Sequence, residues 1–129
     1  MSLSRGFVVL LAALLSVACS EAARESEFLR VLAPTGDWQI IATVIEPWAP
    51  QGPHFVVVYA QRGAQGARVP VGRAALAYDG IPFSNHNINL RWISDTEALV
   101  CLRASDRPDQ SVHVTIRSAV PTGVLRKGC

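Results

Sequence analysis

A chain of 129 residues is of single-domain length, and a hydrophobic fraction of 50% with a mean hydropathy of +0.25 excludes a disordered chain. Twelve basic against ten acidic residues leave a formal charge of +2, too balanced for a nucleic-acid binder or a ligand of acidic polymers. No stretch is long enough in apolar residues to cross a bilayer as a helix, which needs about 20.

The N-terminus is organised in three steps. Met1 to Arg5 is a short polar head carrying one arginine, Phe7 to Ala18 (FVVLLAALLSVA) is uninterrupted apolar and small, and small residues close the run. Apolar on every face, the run lacks the one-sided pattern of a buried helix, and the order is that of a secretory signal. Residues 1–18 are therefore expected to be a signal peptide in helical form. Ser16-Val17-Ala18-Cys19 resembles the lipobox of bacterial lipoproteins, with Ser16 where leucine is commonest. The resemblance implies a diacylglyceryl group on Cys19 and attachment to a membrane through that lipid. Ser20, in place of aspartate after the cysteine, is similar to the outer-membrane sorting choice, which implies the periplasmic face of the outer membrane. The alternative is ordinary cleavage after Ser20 or Ala22, leaving no lipid. Residues 19–33, charged and rich in helix formers, are expected to form a tether between lipid and domain, with Phe28, Leu29, Val31 and Leu32 docking its end.

From Pro34 the pattern changes to short β-type runs punctuated by turn residues, and 34–129 is expected to be a single β domain. Trp38–Glu46 is rich in β-branched residues, and Pro47, Pro50, Gly52 and Pro53 then form a stiff loop. His54–Gln61 (HFVVVYAQ) is the clearest strand, turned by Gly63 to Gly66 into a run over Ala67–Tyr78. After Asp79-Gly80, Asn87–Ile93 alternates, with Ile88, Leu90 and Trp92 on one face and Asn87, Asn89 and Arg91 on the other. Ala98–Arg103 and Ser111–Ser118 complete six strand candidates, with connections short enough for an antiparallel meander. The expected fold is all-β, a small sandwich or a partly open barrel. The Gly36-x-Trp38 opening, the Pro/Gly loop, the Val-rich strand and the late strand with Leu90, Trp92 and Asp95 resemble small β domains common in bacteria. No activity comes with that likeness.

Without Cys19, the remaining cysteines are Cys101 and Cys129, and an even number in an oxidising compartment implies a disulfide. The other reading is a buried thiol at Cys101 and a frayed tail ending in Cys129. His54, His86 and His113 fall in separate segments without ligand spacing, so no metal or cofactor is expected. Ser84-Asn85-His86-Asn87 reads as a loop of side-chain-to-backbone turns, since no nucleophile elbow surrounds Ser84. Trp48, lodged between Pro47 and Pro50, is the aromatic outside the strands; with Phe83 and His86 it is the candidate partner surface. The expected function is a non-catalytic envelope module that binds or assists a protein partner. The alternatives are an inhibitor or immunity-type lipoprotein acting on an exported protein, or a small periplasmic enzyme using His86 or His113 beside a carboxylate.

Overall fold

The structure, a computed structural model, describes residues 24–47, 53–76 and 82–129. The signal segment with its expected helix, Cys19 and Trp48 lie outside these residues. Eight strands follow in chain order: β1 (Arg24–Leu32), β2 (Trp38–Glu46), β3 (His54–Arg62), β4 (Arg68–Leu76), β5 (Ile88–Trp92), β6 (Glu97–Ala104), β7 (Arg107–Arg117) and β8 (Val120–Lys127). They form two antiparallel sheets, β1-β2-β3-β4 and β5-β6-β7-β8, and within each sheet the paired strands are neighbours in sequence. The all-β expectation is met by two separate sheets rather than one closed barrel.

Two segments differ from the sequence reading. The expected tether over 19–33 is a strand, β1, through most of its length, paired with β2 from Arg24↔Glu46 to Leu32↔Gln39. The C-terminal segment, which lies beyond the six strand candidates, is β8, paired with β7 from Gln110↔Lys127 to Arg117↔Val120. Both are edge strands, where charge is tolerated because one flank and one face meet water. Proline in β8 is tolerated for a related reason, since an edge position need not donate to a second ladder. Local propensity therefore misreads these two strands, and pairing to a neighbour overrides it.

The inner faces of the two sheets meet in one core. Ile40, Ala42, Val44, Val56, Val58 and Ala60 from the first sheet join Ile88, Val100, Leu102, Val112 and Val114 from the second. One seam brings β4 to β8, where a side chain on Gly123 would run into the carbonyl oxygen of Val71, and one on Gly72 would lie 2.7 Å from Val112. Along the other seam the Trp92 indole donates to the Val31 carbonyl at 3.1 Å, tying β5 to β1.

The first sheet is strongly curled. Its two edge strands each carry a register shift, between Glu27 and Leu29 in β1 and opposite Val58 and Tyr59 in β4. Bulges bend and twist the strand that holds them. The shift in β1 lets consecutive residues Phe28 and Leu29 both pack against the core. The curl is concave outward, since Glu27 on β1 reaches Arg68 on β4 at 3.1 Å across two intervening strands. Beneath that bridge Ile41, Thr43 and Val57 are buried although they point away from the core. Double-sided burial is why β2 and β3 read as continuous apolar runs rather than as alternations.

Candidate functional site

Two outer faces carry polar groups, and they differ in how far those groups satisfy one another. On the first sheet Glu25 accepts hydrogen bonds from the Thr43 hydroxyl at 2.6 Å and the Tyr59 hydroxyl at 2.7 Å. Glu27 takes Arg30 on both oxygens and Arg68 on one. The Gln39 amide donates to Gln61, whose own amide donates to the Gly66 carbonyl. Arg73 lies 4.3 Å over the Phe55 ring. Hydrogen bonds from Thr43 and Tyr59 hold the Glu25 carboxyl below its usual range, and the same contact pushes the Tyr59 phenol up. Donors and acceptors are matched within the face, so it is a structural roof over Ile41 and Val57.

The outer face of the second sheet is not matched in this way. Alternation sends Ala98, Val100 and Leu102 of β6 into the core and turns Leu99, Cys101 and Arg103 outward. Register then sets Arg91 opposite Leu99 and Asn89 opposite Cys101. A groove of about 260 Å³ runs here, lined by Asn89, Arg91, Leu99, Cys101, Arg103 and Cys129. Its floor is Leu99 and the disulfide that joins Cys101 to Cys129, with Cα atoms 5.5 Å apart. Gly128, at φ 80, turns the chain off the end of β8, and its amide donates to the Asp109 carbonyl. That turn brings Cys129 back across the face to Cys101, a conformation glycine adopts without penalty.

The charged side chains around the groove are Arg91 and Arg103, with Asp109 at the Arg103 edge. Arg103 donates through Nε to Asp109 at 3.2 Å, leaving its two terminal nitrogens available. No ion pair engages Arg91 among the described residues. Arg91 and Arg103 each lie two residues along the strands from the Asn89–Cys101 pair, on opposite sides of it, so about 14 Å separates them along the strands. No aspartate or glutamate side chain lines the groove, and Asp109 pairs with Arg103 at its edge. The groove offers an amide and guanidinium donors, groups that can hold an oxyanion through charge-assisted hydrogen bonds.

The residues singled out from sequence are distributed differently. Phe83 is half-buried, packs on the core rim and meets His54 edge-on with ring centres 5.4 Å apart. His86 is exposed in the neighbouring turn. With Trp48 outside the described residues, the structure places only these two of the three. The Ser84 to Asn87 segment is a turn of local bonds: Asn87 Oδ1 accepts from the Ser84 amide at 3.0 Å, and Ser84 Oγ accepts from the His86 amide. Asn87 also donates to the Arg103 carbonyl at 3.2 Å, so this turn borders the groove at its Arg103 end. Asn89 and Arg91 share a face in the sequence pattern, but their partners on β6 depend on a register that the pattern does not disclose. No three metal-ligating side chains cluster among the described residues. No family model, curated protein or solved structure matches the chain.

Proposed function

We propose that the protein is an exported, lipid-anchored envelope module that works by binding rather than by catalysis, and that its working surface is the outer face of the second sheet. The observation that supports the binding role is the groove: donors on β5 and β6 stand beside a disulfide that forms part of its lining. A disulfide suits an oxidising compartment, in keeping with the signal-type N-terminus. Cys19 is the residue on which the anchor depends, and membrane attachment then holds the domain at the periplasmic face.

The test has two readouts in the same cells. Palmitate feeding should label the wild-type protein and not Cys19→Ser; equal absence of label overturns the anchored reading. A photo-cross-linking residue at Asn89 should capture an envelope component, and the same residue at Asp37, remote from the groove, should not. Indistinguishable products from the two positions overturn the binding surface.

A further inference from the structure

A sheet edge is a row of unpaired backbone donors and acceptors, ready to pair with an extended chain unless something blocks it. The strands at sheet edges are β1, β4, β5 and β8, and all but β5 are blocked. β1 carries a register shift and the charges of Arg24, Glu25, Glu27 and Arg30. β4 carries Pro70 and a register shift, and β8 packs against it. β8 has Pro121 and the same contact with β4. β5 has no proline, glycine or register shift; its residues Ile88–Trp92 pair with β6 in unbroken succession, and Arg91 is their only charge. Shortness is its one restraint, and it still leaves room for a segment of a few residues. The ladder decides which backbone groups are left over. The Arg103 and Ile93 amides donate to the carbonyls of Asn87 and Glu97, which makes Asn89 and Arg91 the residues bonded to β6. The N–H and C=O of Leu90 and Trp92 then point to the open flank. Among the described residues nothing pairs with those groups.

We propose that the β5 edge takes up an extended segment of a protein partner as an added antiparallel strand, apolar at alternate positions and acidic opposite Arg91. The assignment rests on the binding role given above to this face, and names the form of the partner. Leu90 and Trp92 each offer the incoming backbone a donor and an acceptor, which supplies affinity for any extended chain. Side chains then set the pattern. Partner residues opposite Leu90 and Trp92 point inward, where both side chains are half-buried at the rim of the core. Apolar groups there remove those flanks from water. The partner residue opposite Arg91 points outward, its Cβ about 5 Å away. Arg91 is exposed and has no ion pair among the described residues; Glu97, diagonal to it on β6, is not bonded to it. An acid at the opposite position meets an unpaired guanidinium, and a lysine there meets like charge. A second copy of this chain fits the edge less well. Pairing about Leu90 sets the two Arg91 side chains diagonally across the junction with no acid between them.

The experiment uses the full chain carrying Cys19→Ser, so that no attached lipid interferes, together with blocked heptapeptides. The probe Val-Thr-Val-Asp-Val-Thr-Val presents valines on one face and an aspartate at the centre of the other. Its counterparts carry lysine at the centre, or N-methyl groups on the valines. At saturation the aspartate peptide should slow hydrogen exchange of the Leu90 and Trp92 amides at least about tenfold. It should bind about fivefold more tightly than the lysine peptide, and Arg91→Glu should reverse that order. N-methylation should abolish binding, because it removes the donors that face β5. Arg91 is exposed, and an unaltered melting temperature shows that the variant folds. Absence of protection at Leu90 and Trp92, equal binding of the N-methylated peptide, or an order unchanged by Arg91→Glu overturns the assignment. A free chain that is dimeric, with both amides already protected, overturns it in favour of a second copy. Capture of an envelope component at Asn89 in cells, with neither amide protected by the peptides, overturns strand addition and leaves the envelope-module reading standing.

Discussion

At the scale of single residues, the most consequential arrangement on the first sheet is the carboxylate of Glu25 beneath two hydroxyls. Thr43 and Tyr59 donate to it, with Arg68 and Arg73 adding favourable charge, and its pKa is held below the ordinary 4.5. A carboxylate with a depressed folded pKa contributes stability above its unfolded pKa and loses it as pH falls through the folded value. Tyr59 has the opposite sign: its pKa is raised above the ordinary 10.0, so its contribution is present below that value and is lost as pH rises through the raised one. Urea midpoints should therefore fall as the solution is acidified below about pH 4.5, where the unfolded carboxylate begins to take up protons that the folded one resists. Glu25→Gln should flatten that acid limb, so that its difference from the wild type shrinks towards low pH. A limb of unchanged slope in Glu25→Gln would show that the acid sensitivity arises elsewhere.

At the scale of elements, the packing of β4 against β7 and β8 is set by the absence of two side chains. Gly72 admits the Val112 side chain, and Gly123 admits the main chain of Val71. A methyl group at position 123 meets a carbonyl oxygen, which cannot swing aside as a side chain can, so the strands must separate. Gly123→Ala is expected to destabilise the fold by about 2 kcal/mol or more, the range for overpacking a well-filled interior. Chemical denaturation reads this directly, and a loss under about 0.5 kcal/mol, the scale of ordinary surface substitutions, would mean that the seam yields. The same strands show where sequence reading succeeds and fails. The strands β2, β3, β5, β6 and β7 are legible because β-branched runs or clean alternation announce them. In β8, Pro121 and Gly123 carry the signature of a loop, and their fitness appears only once β7 and β4 are in place. In β1 the charges of Arg24, Glu25 and Glu27 suggest a solvated tether, whereas two of them close a polar roof over the sheet. The groove is illegible for a related reason. Arg91 and Arg103 are twelve positions apart in sequence, and only the β5–β6 register sets them on either side of Asn89. The β7–β8 turn adds a smaller surprise, since Ser118 and Ala119 both adopt positive φ, 50 and 60, where Asn-Gly is the favoured pair.

At the scale of the whole molecule, the two halves of the chain are stabilised unequally. The first sheet has its outer roof of hydrogen bonds and ion pairs. The second has the disulfide, which spans 28 positions from β6 to the residue beyond β8. Closing a loop of that size restricts the unfolded chain by about 3.5 kcal/mol at room temperature on the chain-entropy model. Paired replacement Cys101→Ser with Cys129→Ser should lower the unfolding free energy by about that amount, measured without reductant. The same variant should lose binding in the groove, because Cys129 forms part of its floor. Full retention of stability would show that the edge pairing of β8 holds the C-terminal segment by itself.

The neighbour-to-neighbour strand order has a consequence for how the molecule comes together. All six ladders join strands adjacent in sequence, so each closes only a short loop and sacrifices little chain entropy. The two halves of the chain meet only when one sheet settles on the other. This order predicts a fast, local zippering of each half and a slower docking of the two, which refolding kinetics would resolve as two phases. On that expectation each sheet would carry an uncovered apolar face between the two phases, and aggregation during refolding should be greatest in that interval.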